Sequence, residues 1–599
     1  MKLFNKALFI IGAVSAFAAC STLDQSSPST FEADEVYTHY DLARVAINGI
    51  YEAYVSTTAY RSDYATYYGA NTDCEYWTDS GTNEKSAMCK YRILPTNSYI
   101  NRTNTYDFYP AAFLSIERAN HAIKNLRLYG NVEHSSSMAG LLGEALTMRA
   151  VFYGDLMNYY GEVPARFEPI KQETIYLPKS DRDVIFKQIL SDLEEAASLM
   201  KFENHTAITR ASKALAIGMY ARLALQAAGY SCRPDEGMVN TGCDSTQCNI
   251  RKSSDPELQA EVLYPKALKL LDEVIECNKY KLFDNFEDIW HYYCNLHTTI
   301  DADGSEIIFG MPFGDNRGQF IYHNGVPNTK LGFGATPRKG VVPTLWFKFP
   351  DYDTRRDVTC CFFRWGSTDN VSTDNLKSDY CYFGKYRYDW MKEHPYREKD
   401  AEDGAKFTVM RFADILLMAA EMANEIDSLQ AAKEYMRPVL QRAYHDEQEV
   451  DSYLSNLGDK DAFFQAIKDQ RAFEFTGEML RRQDLIRWGC LKQALDQTKA
   501  DMLALKNRTG FAEGYRDAAY WRYPDPNDHY KVEFKLVKEL ETEPSGWTKK
   551  SGFFSGFSSK VITYFYVENP DKWMYRPIPA SIVISSLGSL INDYGYSQL

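Results

Sequence analysis

The sequence predicts a mainly α fold in which tetratricopeptide-like helix pairs form a scaffold, with long irregular loops and a few short strands between them. Three observations carry this reading. Apolar residues recur three or four apart in successive blocks over 41–282 and again over 408–500. One block, Ala211 to Ala228, puts Ala214, Gly218, Ala221, Leu225 and Ala228 on one stripe. Such small residues let two helices approach closely, as tetratricopeptide pairs do. Over 60–110 and 283–407 the periodicity fails, and aromatic rings stand among Asn, Asp, Thr, Ser and Gly.

Residues 1–19 combine a short basic start (Lys2, Lys6), an apolar run and small residues, the pattern of a signal peptide. The run is too short to span a bilayer stably. Ala18 and Ala19 directly before Cys20 resemble a bacterial lipobox, with Phe17 where Leu is usual. Cys20 is therefore expected to carry lipid, and 20–40, rich in Ser, Thr, Asp and Pro, to be its tether. The alternative is a plain cleavage site with a coincidental cysteine. Beyond Cys20 no stretch approaches the roughly 20 apolar residues of a membrane helix, so lipid is the one expected membrane link. Residues 41–599 are read as a single domain.

Within it, Asp41 to Tyr54 has Leu42, Val45, Ile50 and Tyr54 near helical period. Ala111 to Leu126 is a second helix, and a third places Leu141, Ala145, Met148, Phe152, Leu156 and Tyr159 on one face. Arg182 to Leu199 follows with Ile185, Ile189, Leu193 and Ala196 on a stripe, then Ala211 to Ala228. Tyr264 to Leu282 starts with Pro265 in what reads as a first turn, with Leu268, Leu271 and Ile275 inward. Thr408 to Ile426 has Val409, Ala413, Leu416, Ala420 and Ala423 on one face.

The densest stretch is Ala466 to Gly489, AIKDQRAFEFTGEMLRRQDLIRWG. On one helix, Arg471 with Glu474, Glu474 with Glu478, Glu478 with Arg482 and Arg481 with Asp484 would be neighbours. Phe473, Phe475, Leu480, Leu485 and Trp488 are interleaved, so these charges read as a buried structural network holding two elements in register. Gly477 predicts a bend or a close approach.

The order Arg471, Glu474, Phe475, Glu478, Arg482, Asp484, Leu485, Arg487, Trp488, Gly489 resembles the C-terminal signature of the SusD/RagB family, lipoproteins that capture nutrients for outer-membrane transporters. Similar matches recur along the chain. They include Ile116 to Asn120, Gly143 to Ala145 with Arg149, Asp192 with Leu193, Glu306, Asp353 with Arg355, and Arg411 to Glu421. Tyr575, Pro577, Ile578 and Pro579 with Asn592, Gly595 and Tyr596 resemble the family's last segment, although Ile591 and Tyr594 replace its usual Gln and Pro. The resemblance implies a tetratricopeptide-like body whose intervening loops build the ligand surface. It also implies a SusC-like TonB-dependent β-barrel transporter as partner, with this protein as its lid. Glycan is the family's commonest ligand, and peptide also occurs.

Composition bounds the chemistry. A net charge of −14 argues against nucleic acid and anionic membrane surfaces. No nucleophile elbow, HExxH helix or phosphate-binding glycine loop is present, so no catalytic residue and no cofactor is assigned. A glycosidase pair is the enzyme alternative, and a helical-repeat scaffold that binds only protein is another. Asp301, Asp303 and Glu306 lack the spacing of a calcium loop and read as a solvated acidic turn. Cys232, Cys243 and Cys248 share one polar loop and Cys74 and Cys89 another, which allows two local bridges without fixing the pairing. The loop also lacks the paired short spacings of a zinc site, and the adjacent Cys360 and Cys361 read as buried thiols. Ligand contacts are expected where no helical stripe claims an aromatic ring: Asp73, Tyr76 and Trp77, then Trp290 and Tyr322. There a flat ring would meet the C–H face of a sugar while carboxylates accept its hydroxyls.

Overall fold

Helices begin where the sequence supplies acceptors for the first free backbone N–H groups. Ser135 accepts from Met138 N ahead of Ser136–Tyr160, Ser212 from Leu215 N ahead of Lys213–Ala227, and Asp459 from Ala462 N ahead of Lys460–Phe475. The structure is a computed structural model that describes residues 31–596, except 57, 79–82, 92, 103–106, 315–316, 332–336, 369, 373–375, 392–401 and 564. Cys20 and most of the expected tether lie outside the described residues.

The scaffold helices are α1 Tyr40–Glu52, α2 Phe108–Tyr129, α3 Ser136–Tyr160, α4 Arg182–Leu199, α5 Lys213–Ala227, α6 Ala260–Glu276, α7 Phe412–Glu425 and α8 Leu429–Tyr444. Each packs against the next, from α1 through to α8, which is the stacking expected of tetratricopeptide-like pairs. The small-residue stripe of α5 works as the sequence suggests. A methyl added at Gly218 would lie 2.9 Å from Ile415 Cδ1 of α7, so any larger residue there would make that side chain give way. The chain closes with α9 Lys460–Phe475 on α7, then α10 Arg481–Arg487 and α11 Leu491–Asn507. Among the described residues no helix is long and apolar enough to cross a membrane.

Strands are short and mostly paired in twos; the exception is a three-stranded sheet with Tyr515–Arg522 between Glu533–Lys538 and Thr548–Ser551. Three local readings change. Thr408–Arg411 is a strand paired with Ile307–Gly310, and the helix starts only at Phe412. Pro265 sits inside α6, because burial of Leu263 and Tyr264 extends that helix by a turn toward its N-terminus. The inward residues of α6 are accordingly Leu263, Ala267, Leu271 and Val274.

The third change concerns 466–489, which is two helices and not one. Between α9 and α10 the backbone turns through Gly477 at φ 95° and Met479 at φ 67°, the bend that Gly477 announced. Because of the turn, the charges find partners outside the stretch. Glu474 accepts from Arg442 at 2.6 Å, Arg411 at 3.0 Å and Arg355 at 3.1 Å. Glu478 accepts from Arg411 at 2.7 Å and Lys385 at 2.9 Å, and Glu306 from Arg411 at 2.6 Å and Arg442 at 3.0 Å. Asp353 with Arg355 at 2.6 Å completes a buried group of four cations and four carboxylates. Glu306 thus belongs to the interior, while Asp303 of the same acidic turn pairs with Lys281 at the surface.

Arg471 does pair with Asp484, at 2.8 Å, and with Asp414 at 2.7 Å. Arg482 does not meet Glu478; it donates to the Met574 carbonyl at 3.0 Å and lies 4.3 Å from the Tyr91 ring centre. Burial works against the charge on Glu474, yet Arg442, Arg411, Arg355 and Lys385 hold its carboxyl well below the ordinary range. Removing one member of such a group leaves its partners charged and dry. Glu478→Ala, which strips a partner from both Arg411 and Lys385, should cost about 3–5 kcal/mol in denaturant unfolding. A variant within about 1 kcal/mol of the parent would show that the group is replaceable.

Candidate functional site

The strand Glu75–Trp77 pairs antiparallel with Lys339–Val341, Trp77 opposite Lys339. Buried contacts fasten this pair to the scaffold. Glu75 accepts from Lys339 Nζ at 2.7 Å and from the Gly477 N–H at 2.8 Å. Asp73, just before the strand, takes the Arg481 guanidinium on both oxygens at 2.7 and 2.6 Å. From the outer end of the pair Thr78 N donates to Arg338 O, and Arg338 N donates to His323 O. Segments far apart in sequence therefore meet at one rim.

At that rim Lys85, Tyr99, Arg102, Tyr322 and Arg338 are half-buried. Lys85 Nζ and Arg102 Cζ lie 5.2 and 5.3 Å from the Tyr99 ring centre, and Arg102 reaches Asp63 at 3.3 Å. Arg338 donates to the Tyr67 hydroxyl. Burial, then the Arg338 and Lys85 cations, draw His323 down to about 3, so its ring is neutral at physiological pH. Burial raises the Asp63 carboxyl, with Arg102 and Arg338 opposing. The result is a partly open ring surrounded by fixed donors. Such a surface suits a polyhydroxylated ligand, whose C–H face meets the ring while its oxygens accept from guanidinium and ammonium groups.

A second surface is a cleft of about 820 Å³ between the helix Phe286–Cys294 and the segments around 357, 387 and 530. Glu287 and His291 line it one helical turn apart. Trp390 is already partnered there, with the His291 ring 4.3 Å away and Arg387 Cζ at 4.6 Å. Among the described residues no group of three or more His, Cys, Asp or Glu side chains is placed to hold a metal ion.

The residues singled out from sequence divide. Trp77 and Tyr322 come to the same rim through Arg338, but Trp77 is only 6 % exposed. It packs on Tyr67, Met88, Cys89 and Ile93, donates Nε1 to Ser86 Oγ at 3.0 Å, and takes its own N–H to Asn71 Oδ1 at 2.7 Å. The expectation that nothing buries Trp77 is corrected: a satellite core, invisible as periodicity, claims it. Tyr76 is buried with its hydroxyl on the Asp379 carbonyl at 2.6 Å, because alternate residues of a strand buried on both faces have no open side. Asp73 is spent on Arg481, whose guanidinium outweighs burial and keeps the carboxyl below its usual range. Trp290 faces the interior, with Lys385 Nζ 4.5 Å from its ring centre, while its neighbour His291 faces the cleft. Tyr322 is the one of the five that is half-buried at the rim, its ring centre 5.0 Å from that of His323. Lys85, Tyr99, Arg102 and Arg338 were missed, since nothing in the sequence shows that 75–77 pairs with 339–341.

The profile described as "SusD family" matches residues 352–596, and the profile described as "Starch-binding associating with outer membrane" matches 22–225. The chain belongs to the SusD/RagB-like family. A curated relative, SusD-like protein P25 of Formosa agariphila, is 23 % identical over 528 residues, covering 82 % of this chain and 91 % of its own. A SusD homolog from Bacteroides thetaiotaomicron shares the fold at TM-score 0.68 and 18 % identity, covering 95 % of this chain and 99 % of its own. Surface glycan-binding protein A from the same organism, solved with laminarihexaose, superposes at TM-score 0.59 and 16 % identity over 92 % of this chain and 99 % of its own. In this SusD-like chain the motifs that mark the family are the buried ion pairs, and the rim lies on the loops between them.

Two outcomes follow. Trp77→Ala should destabilise the protein by about 3–5 kcal/mol, as loss of a buried large ring does, and a thermal melt will register it. A normal melt would return Trp77 to the ligand surface. The other concerns Asp403, which accepts from Tyr322 N at 3.1 Å and Ala405 N at 3.0 Å. Burial raises its carboxyl to about 8, with those N–H bonds opposing. An unfolded Asp titrates near ~3.9, so between about pH 4 and 8 the folded state holds the extra proton and this group's contribution falls as pH rises. Denaturant midpoints from pH 5 to 8 should decline, and Asp403→Asn should flatten the decline. Equal slopes in both proteins would clear Asp403.

Proposed function

We propose that the protein is a surface-exposed, glycan-binding lipoprotein that captures an oligo- or polysaccharide and delivers it to a SusC-like TonB-dependent β-barrel transporter in the outer membrane, acting as a binder and not as an enzyme. The observation that carries the ligand part is the convergence of Tyr99, Tyr322, Lys85, Arg102 and Arg338 at one partly open rim, on loops and two short helices beside a strand pair tied to the scaffold. A structural neighbour crystallised with laminarihexaose supports carbohydrate as the ligand class. The family description, which names starch binding and the outer membrane, supports the location. Lipid on Cys20, followed by the polar tether 20–40, would hold the rim near a transporter mouth.

Binding rather than catalysis also fits the state of the carboxylates. The carboxylates of the central charge group, Glu306, Asp353, Glu474 and Glu478, are matched by arginine or lysine, and Asp63 at the rim is matched by Arg102. A general acid or base would need a carboxyl free to trade its proton with a substrate.

Native gels containing different polysaccharides test the ligand class directly, by retardation of the purified protein. With a retarding glycan in hand, Tyr99→Ala and Tyr322→Ala should each weaken binding about tenfold, since stacking contributes on the order of 1 kcal/mol, while the melting temperature stays put. Trp390→Ala reports on the 820 Å³ cleft in the same gel. Full affinity in both tyrosine variants with loss in Trp390→Ala would move the site to the cleft.

A further inference from the structure

The hairpin Ser231–Pro234 with Cys248–Arg251 sets Cys232 opposite Ile250 and Pro234 opposite Cys248. Its connecting loop, 235–247, folds back on the second strand, so that Cys243 Sγ lies 3.1 Å from Cys248 Sγ. Two features hold the sulfurs in place. Between them the chain makes a tight turn, with Asp244 Oδ1 accepting from Thr246 N at 2.7 Å and Asp244 O accepting from Gln247 N at 3.1 Å. Behind them Asp593 accepts from Gly242 N at 2.9 Å and Cys243 N at 3.3 Å, while Gly595 N donates to Cys243 O at 2.9 Å. Lys179 supplies the countercharge to Asp593.

We propose that Cys243 and Cys248 are a site of covalent modification, joined as a disulfide in the exported protein. A bonded pair stands about 2.05 Å apart, so closure asks for a shift of only about 1 Å between side chains whose backbones are already fixed. The two thiols give up two electrons and two protons to a protein disulfide of the dithiol-oxidoreductase class, which leaves as a dithiol; the new bond is Sγ–Sγ. Cys243 is 1 % and Cys248 8 % exposed, so exchange occurs while the loop is still opening onto solvent, and the closed product is then shielded. Cys232 is set apart by the register, two residues from the Pro234–Cys248 pair. The other local pair is not assembled: Cys89 belongs with Trp77 in the satellite core, whereas Cys74 belongs to the main one. The bridge would lock the loop that cradles Asp593, and through it the last segment of the chain, onto the scaffold. The proposal rests on the reading of the chain as exported.

The full-length protein is isolated from the cell envelope, alkylated under denaturing conditions without reductant, and cleaved on the N-terminal side of aspartate. Cuts before Asp235 and Asp244 leave Cys232, Cys243 and Cys248 on three separate peptides. The expected result is one crosslinked species joining the Cys243 and Cys248 peptides, about 2 Da lighter than the two free thiols together and absent from Cys243→Ser and Cys248→Ser. Recovery of both cysteines alkylated, or a crosslink from Cys232, overturns the proposal. Refolding the purified protein in oxidised and reduced glutathione separates the causes. A bridge that closes there and not in the envelope sample faults the export reading, and one that closes in neither faults the geometry.

Discussion

The structure depends on a buried meeting of four cations and four carboxylates. Glu306, Asp353, Glu474 and Glu478 face Arg355, Lys385, Arg411 and Arg442, all within the core and all within direct ion-pair distance of a partner. Taking so many charges out of water is costly, and their mutual attraction offsets the cost only when the geometry is complete. That condition makes the group a specificity device. An apolar core tolerates slippage of one element past another, whereas a set of bidentate guanidinium contacts has one acceptable register. The members come from a strand, a short helix, loops and two scaffold helices, so the register fixed is that between the loop-rich insertion 283–407 and the helical body.

The same segment that carries Glu474 and Glu478 also carries the constraint outward. The turn between α9 and α10 exists because Gly477 takes a positive φ, and its freed N–H is spent on Glu75. A side chain at Gly477 would also press on Phe383 at 3.1 Å. Glu75 is paired with Lys339 across two strands, and Arg481 at the start of α10 holds Asp73. One short stretch near the C-terminus thus pins a loop that leaves the scaffold near residue 60, and with it Tyr99 and Arg338. Loops of this length pay little entropy when their ends are clamped by buried pairs, and a pre-formed surface binds without a further ordering cost.

What the sequence made legible follows from which interactions are local. α4 is read to the residue because its stripe of Ile185, Ile189, Leu193 and Ala196 lies within one helix. The small-residue face of α5 is equally plain, since its spacing lies within one helix and Gly218 stands against Ile415 of α7. The charge-rich stretch reads as structural, and it is, but spacing pairs Glu474 and Glu478 within the stretch, whereas their partners lie across the fold at Arg355, Lys385, Arg411 and Arg442. Spacing rules know only neighbours on one element. Trp77 shows the complementary error: a ring outside every stripe looks free, yet a small core of Tyr67, Met88, Cys89, Ile93 and Ile100 forms around it from two short helices and the turns beside them, too short to show a period.

This division explains why the family is evident and the ligand is not. The residues that carry the resemblance are those whose geometry is over-determined, such as Glu474 with three guanidinium partners, and a change at any of them disturbs several others at once. The rim is under the opposite regime. Lys85 and Arg102 contact Tyr99 at a half-buried surface and bear no part of the eight-charge balance in the core, so substitution there has little effect on what the fold requires. A scaffold clamped from within leaves its loops free to change their chemistry. The proposed recognition surface is written in residues that periodicity and motif spacing do not single out.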